Sequence, residues 1–273
     1  NALYFHPISR EFYDPFGGEG DLHERLIRFI GDPAVRIKHD ALRLLRAVRF
    51  RALLRGQYHP ETYTALKEQA GMIEVLSGVR IFEELIKMLL GPKPVMALED
   101  LRELGILSYA LPELTACKGV PQPADYHREG DVWEHLLACA RAFREEDGID
   151  VRLAALFHDC GKVQTFSLKE RIRFDHHASI SADLAQAALD RLQWPALRRD
   201  KICWLIQHHM MMGAFEGMPM ERQGHWYYHP WFPELLQVMW LDIAGTDPAD
   251  FLLYKKIVQL REQFLDANPR PEK

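Results

Sequence analysis

The chain of 273 residues is 48% hydrophobic, enough to bury a sizeable core as one large or two to three small domains. A net charge of −5 excludes a uniformly basic polyanion binder, although it leaves a local basic site open. With no run of roughly 18 apolar residues and no leader-like segment, the expectation is a cytoplasmic protein with no membrane partner. The four cysteines, Cys117, Cys139, Cys160 and Cys203, lie far apart in sequence. They fit neither CxxC metal spacing nor a disulfide framework and read as thiols of a reducing compartment.

The chain opens at Asn1-Ala2 without an initiator methionine, already in strand-like sequence, as expected of a fragment. Residues 2–6 and 10–14 alternate in part around Pro7-Ile8-Ser9, which predicts the last hairpin of a sheet, closed by Asp14-Pro15-Phe16-Gly17-Gly18. Asp21 as a cap, with Glu24 three residues later, predicts a helix through Leu22, Leu26, Ile27 and Ile30 that ends at Gly31-Asp32-Pro33. A stronger helix is predicted over about 34–55, with Ala41, Leu45, Val48 and Ala52 as its apolar stripe. Residues 36–55 carry Arg36, Lys38, Arg43, Arg46, Arg49, Arg51 and Arg55 against a single acid, Asp40. At about 100° per residue, Arg36, Asp40 and Arg43 fall within about 60° of one another, with Arg46 beside them. A solvated helix face explains this pattern as well as a polyanion site does; in the second reading Asp40 fixes the guanidinium forks or reads a base edge.

Further helices are predicted at 60–70, 78–90, 93–104 and 106–111, separated by Gly91-Pro92 and Gly105. The run Gly119-Val120-Pro121-Gln122-Pro123 reads as a linker and domain boundary. Beyond it, helices are predicted near 132–145, 150–160, 178–192, 198–210, 232–244 and 248–266, with Arg171 to Phe174 as an edge turn or strand. Residues 213–230 read as a long irregular connection, whose Trp226-Tyr227-Tyr228-His229-Pro230 run is assigned first to core packing, before a lid or a stacking platform. The expected fold is mainly all-α: a β-hairpin remnant of a sheet over 1–20, a helical region over 21–118, a linker over 119–129, an all-α domain over 130–245, and a C-terminal helix and tail over 246–273.

The densest chemistry lies in the second half. Val132-Trp133-Glu134-His135 opens one apolar helix, and Leu156-Phe157-His158-Asp159-Cys160-Gly161-Lys162 closes the next. A lone buried histidine is ordinarily a satisfied core residue, but an adjacent His-Asp pair on an apolar segment is expensive to bury without a partner. A divalent metal taking imidazole nitrogen and carboxylate oxygen is such a partner. The expected ligand set is His135, His158, Asp159 and Asp242, with positions left for water and a phosphate oxygen. Lys162, three residues past Asp159, would balance charge or hold a phosphate, and His177 and His209 would take a second ion or the leaving phosphate.

The order His135, His158-Asp159, Asp242, with Phe157-His158-Asp159-Cys160-Gly161-Lys162, resembles the all-helical HD superfamily of metal-dependent phosphohydrolases; Cys160 replaces the usual aliphatic residue. The first half resembles the class II tRNA nucleotidyltransferase (CCA-adding enzyme) and bacterial poly(A) polymerase family. That resemblance rests on Asn1-Ala2-Leu3-Tyr4, Asp14 to Gly18, Asp21-Leu22, Ile30-Gly31-Asp32-Pro33, Arg36 and Asp40 through Phe50. It implies that 21–118 is the family's neck and body, that Asp40 and Arg43 read the Watson–Crick edge of an incoming nucleotide, and that Arg46 and Arg49 face its triphosphate or the head domain. His39 stands where the family has an acid, and the paired aspartates that hold two Mg²⁺ in the family do not occur in this chain.

The resemblance thus implies part of an enzyme that uses Mg²⁺ to add nucleotides from ATP or CTP to the 3′ end of tRNA or another RNA. Attached to it would be an HD site for Mn²⁺, Ni²⁺, Co²⁺, Fe²⁺ or Mg²⁺. Two alternatives stand beside this reading. One is an HD phosphohydrolase acting on 2′,3′-cyclic phosphates or nucleotide ends; the other is a non-catalytic RNA-binding module.

Overall fold

The computed structural model describes residues 3–268, so Asn1-Ala2 and the tail beyond 268 lie outside the described residues. The chain divides into two units, Asn1–Pro112 and Glu113–Lys273.

In the first unit, β1 (Tyr4–His6) and β2 (Glu11–Tyr13) form the expected antiparallel hairpin, with Tyr4 opposite Tyr13 and Phe5 opposite Phe12. Successive strand residues point to opposite faces, so each face carries one aromatic pair, and all four rings are exposed. The Asp14 carboxylate accepts from the backbone N–H groups of Gly18 and Glu19 at 2.7 and 2.9 Å and starts α1 (Gly18–His23). The helix expected through Ile30 stops there. Arg25 turns the chain at φ 54°, and β3 (Leu26–Ile27) pairs in parallel with β4 (Gln57–Tyr58). Gly56 permits this approach, because a Cβ there would lie 2.1 Å from the Arg25 carbonyl oxygen.

The helix expected over 34–55 is also interrupted. Asp32 caps α2 (Pro33–His39) with Pro33 in the first turn, and the chain extends at Asp40 (φ −156°, ψ 102°) before α3 (Leu42–Leu54) begins. The Asp40 carboxylate accepts from the Leu42 N–H at 3.2 Å, a local bond that competes with helix continuation. On α2 packs α4 (Pro60–Glu68); a 3₁₀ turn, Ala70–Val75, α5 (Gly78–Leu89) and α6 (Pro94–Glu103) pack on α3, and α7 (Leu107–Ala110) packs on the 3₁₀ turn and α6. Leu44, Leu45, Val48, Leu66, Leu85 and Leu98 form their shared core.

The second unit is built on α10 (Ile149–Phe157), every residue of which is buried. Its two charged members are satisfied: Arg152 donates to the carbonyl of Asp147 at 2.8 Å, and Asp150 pairs with Arg198 and Lys201 at 2.8 Å. The short α8 (Pro112–Thr115) precedes it, and α9 (Val132–Arg141) packs beside it. After it come α11 (Lys162–Thr165), the hairpin β5 (Phe166–Leu168) and β6 (Ile172–Phe174), α12 (His177–Arg191) and α13 (Ala196–His208). The segment expected to be irregular is instead a 3₁₀ helix, His209–Gly217, and α14 (Met220–Tyr227). Tyr227 is buried against Phe215 and Phe232, while Trp226 is half-buried beside Trp204. The unit closes with α15 (Phe232–Gly245) and α16 (Leu252–Ala267). Among the described residues no helix is long and apolar enough to cross a membrane.

Two expectations change here. The Gly-Pro run is no free linker: it lies within the second unit, where the Gly119 N–H donates to Asp131 at 2.7 Å and the Arg128 N–H to the Asp247 carbonyl at 2.9 Å. The cysteines remain free thiols, but Cys117 and Cys160, 43 residues apart, meet in the interior with their sulfurs 3.7 Å apart.

Gly161 explains the glycine of the His158-Asp159-Cys160-Gly161-Lys162 run. A Cβ there would stand 2.3 Å from the His177 carbonyl oxygen and 2.7 Å from the Ser181 nitrogen, both backbone atoms of α12. Gly161→Ala is therefore expected to destabilise the second unit by about 2 kcal/mol, lowering its Tm by about 4–8 °C. Thermal unfolding checks this; an unchanged Tm would show that α12 gives way freely.

Candidate functional site

The second unit brings together all the histidines and carboxylates that the sequence singled out there. Asp131 caps α9, accepting from the Glu134 N–H at 2.9 Å, and His135 follows in the first turn. His158 ends α10 and Asp159 lies one residue beyond. The Nε2 atoms of His135 and His158 face each other at 3.3 Å. Asp242 Oδ1, from α15, approaches them at 3.1 and 3.4 Å. Asp159 stands between two groups: Oδ2 lies 3.7 Å from His135 Nε2 and 3.4 Å from His158 Nε2, while Oδ1 lies 3.3 Å from His177 Nε2 and 4.0 Å from His209 Nε2. His177 and His209 in turn face each other through Nε2 at 3.3 Å.

Every one of the four rings turns Nδ1 outward onto an oxygen. His158 donates to the Ala155 carbonyl at 2.8 Å, His177 to Phe174 at 2.9 Å, His209 to Ile206 at 2.7 Å, and His135 to the Glu129 carboxylate at 3.0 Å. A neutral ring that donates from Nδ1 has only a lone pair on Nε2. The centre of the cluster thus holds four nitrogen lone pairs and two carboxylates, all acceptors, with too few protons to pair them. That donor set fits a divalent cation, with His135, His158 and Asp159 around one position, Asp242 beside the two rings, and Asp159, His177 and His209 around another. Asp242 is the most exposed member of this first group, its side chain keeping 29% of its exposure while His135 keeps none.

Protons take the place of that charge in the metal-free protein. Burial opposes a charge on His158, but the Asp159 and Asp242 carboxylates outweigh it and raise its pKa to about 10. Burial would raise Asp159 and Asp242 as well; His158 prevails for both, aided by Lys162 at Asp159, and holds them well below the usual carboxylate range. His209, pushed down to about 4 by burial and by the charge on His158, stays neutral.

Lys162 is 7% exposed, and its ammonium sits between Asp159 Oδ2 at 2.6 Å and the Gln122 amide oxygen at 2.7 Å. It fixes Asp159 rather than reaching into solvent. Sequence reasoning missed Gln122 and Glu129: both stand in the Pro-containing run taken for a linker, where no periodicity marks a residue as inward-facing.

A second constellation lies within the first unit. Arg36, Asp40, Arg43 and Arg46 line one cleft of about 920 Å³, with Phe16 and Phe50 on its walls. The shared helix face expected for them does not exist, since the chain bends at Asp40. The corner between α2 and α3 gathers them instead, with Arg43 donating to the Arg36 carbonyl at 2.6 Å. Asp40 pairs with Arg80 at 3.1 Å. Arg49 does not join the cleft: it is drawn to Glu84, on α5, at 2.6 Å and covers the Phe50 ring.

Comparison with known proteins finds two families in series along the chain. A family described as the probable RNA and SrmB-binding site of polymerase A matches residues 57–118, and the HD domain family matches 131–260. The multifunctional CCA protein of Burkholderia mallei (strain SAVP1) is 33% identical over 265 residues, covering 93% of this chain and 63% of that protein. The chain thus spans a little under two thirds of that relative's length. The CCA-adding enzyme of Bacillus stearothermophilus in complex with CTP superposes with a TM-score of 0.58 at 24% identity, over 96% of this chain and 56% of the other. The Thermotoga maritima CCA-adding enzyme complexed with tRNA gives 0.57 at 17%, over 100% and 60%. At these identities the two structures speak for the fold alone. The sequence relative, the two matched families in series and the shared fold together support a protein of the CCA-adding enzyme and bacterial poly(A) polymerase family that carries an HD domain.

Proposed function

We propose that the chain is the nucleotide- and RNA-gripping part, with an attached HD domain, of an RNA nucleotidyltransferase that extends the 3′ end of tRNA or another RNA from ATP or CTP. The observation that carries this is the cleft holding Arg36, Asp40, Arg43 and Arg46 together beside Phe16 and Phe50. Its volume suits a nucleotide. Asp40 meets Leu42 and Arg80 through Oδ1, which keeps Oδ2 for the amino group of a base. The fork of Arg43 offers donors to the same edge, the aromatic walls offer it a stacking surface, and Arg46 faces phosphate charge. The Bacillus relative is a CTP complex and the Thermotoga relative a tRNA complex; the same two classes of partner are assigned to this chain. Of the carboxylates that line the cleft, Asp40 pairs with Arg80 and Asp21 with Arg28, and the role assigned to this unit is to bind and orient the nucleotide. A cytoplasmic setting fits the four free thiols.

The acceptor cluster favours a second activity, hydrolysis of a phosphodiester such as a 2′,3′-cyclic phosphate. A divalent cation bound there would supply Lewis acidity toward a phosphoryl oxygen and water. The chain's own residues do the rest. Asp159 serves both halves of the cluster, Lys162 and Gln122 hold it in register, and Asp242, the more exposed carboxylate, is the side from which a substrate phosphate would approach. The imidazole-rich donor set favours Mn²⁺, Co²⁺, Ni²⁺ or Fe²⁺ over Mg²⁺.

Arg43→Ala in the intact protein is expected to weaken ATP and CTP binding by about 10–100-fold, the loss of one charge-assisted contact. Arg49→Ala is expected to leave that affinity unchanged and lower stability through Glu84; equal effects of the two on nucleotide affinity would overturn the cleft assignment. For the HD domain, His158→Ala is expected to remove the Mn²⁺ equivalent held at the His135 position and to abolish hydrolysis of bis-p-nitrophenyl phosphate; wild-type stoichiometry together with wild-type hydrolysis rules out the cluster as the source of both. Because the pKa of His158 is raised to about 10, the metal-free ring is charged at neutral pH and a cation must displace its proton. Mn²⁺ affinity should therefore rise with pH between 6 and 8 with proton release, read by calorimetry in buffers of different ionisation enthalpy. The same sign governs stability: the metal-free fold gains from His158 below the unfolded value of about 6.5, and loses that gain as pH climbs through about 10.

A further inference from the structure

Three of the four imidazoles in the cluster are oriented by the main chain in one repeated way. The Nδ1 atoms of His158, His177 and His209 each donate to the carbonyl three residues earlier. His135 departs from the rule. Its Nδ1 partner is the Glu129 carboxylate, six residues back and outside α9. It is the one ring whose direction depends on another side chain. That side chain is itself closely held: Glu129 Oε1 accepts from His127 Nδ1 at 2.6 Å as well as from His135, and Oε2 accepts from the Asp247 N–H at 2.9 Å. The next residue, Arg128, donates its N–H to the Asp247 carbonyl. Asp247 lies just past α15, the helix that carries Asp242. A carboxylate serving only to pin the 119–131 segment to Asp247 would need one oxygen; the other here faces two imidazoles.

We propose that Glu129 is a positioning residue of the metal centre: it keeps His135 protonated on Nδ1, aims its Nε2 lone pair at His158 and Asp242, and ties that ring to the helix bearing Asp242. A charged acceptor on Nδ1 also makes Nε2 a stronger donor than the carbonyl-anchored rings, and outer partners of this kind commonly set metal affinity. The proposal rests on reading the cluster as a divalent-cation site.

The test is titration of the full chain with Mn²⁺ by calorimetry and with Co²⁺ by its visible spectrum, for wild type, E129A, E129Q and D131A. Glu129→Ala is expected to weaken binding by about 10–100-fold at unchanged stoichiometry and to shift the Co²⁺ bands. Glu129→Gln, whose amide oxygen still accepts from Nδ1, is expected to recover most of that loss, and it carries the test should E129A fail to fold. Asp131→Ala removes the α9 cap from the same segment and is expected to lower Tm without changing affinity. Wild-type affinity in both Glu129 variants overturns the proposal, as does an equal loss in D131A, which would reduce Glu129 to a structural tie. Disappearance of a whole equivalent of metal in E129A also overturns it, by making Glu129 a ligand. A wild-type chain that takes up neither Mn²⁺ nor Co²⁺ overturns the cation-site reading itself, a result distinct from the other three.

Discussion

The second unit depends on a shortage of positive charge. Four imidazole Nε2 atoms and two carboxylates converge in its interior, and the Nδ1 partners fix every ring with Nε2 turned inward. Such a convergence is tolerated only when protons or a cation fill it. Asp159 is its hub, with one oxygen toward each half of the cluster and Lys162 against one of them. The surrounding architecture follows from holding that residue still: a helix buried on all sides ends at His158, Gly161 lets α12 press directly on the turn, and Ser181 accepts a hydrogen bond from the Gly161 N–H at 2.8 Å.

The first unit solves a different problem with local means. Its basic residues repel one another and gain little from the core, so their arrangement is set by the backbone. The Asp40 interruption turns two short helices toward one cleft, and the Arg43 bond to the Arg36 carbonyl braces the corner. Arg51, paired with Asp100, and Arg49, paired with Glu84, are drawn to the opposite packing partners of α3 and serve the scaffold. A single basic helix thus divides its charges between the cleft and the packing of its neighbours.

Much of this was legible in the sequence because its signals are local and periodic. Apolar spacing located α5, α6, α9, α10 and α13, and the pairing of His158 with Asp159 on an apolar segment marked the cluster. The break at Asp40 was hidden because the apolar stripe resumes at once with Ala41, so periodicity ran through a position where capping prevails. Arg46 and Arg49 look alike by spacing; only the presence of Glu84, 35 residues after Arg49, separates them. Gln122, Glu129 and the contact of Cys117 with Cys160 depend on tertiary approach, for which a Pro-containing run and isolated thiols carry no periodic sign. The strand at Leu26–Ile27 was likewise invisible, since its partner is a two-residue segment beyond the next two helices.

That parallel pairing has a topological consequence. The Gln57 N–H bonds to the Arg25 carbonyl and the His59 N–H to the Ile27 carbonyl, both at 3.0 Å, so the stretch containing α2 and α3 is a loop clasped at its base. The entropy of closing that loop is lost when the protein folds, before any ligand arrives. A ligand entering between Arg36 and Arg46 would therefore meet walls whose ends are already joined, and its binding need not supply the ordering of the segment. Within that clasped loop Asp40 marks the corner between α2 and α3, and the Arg43 bond to the Arg36 carbonyl closes it.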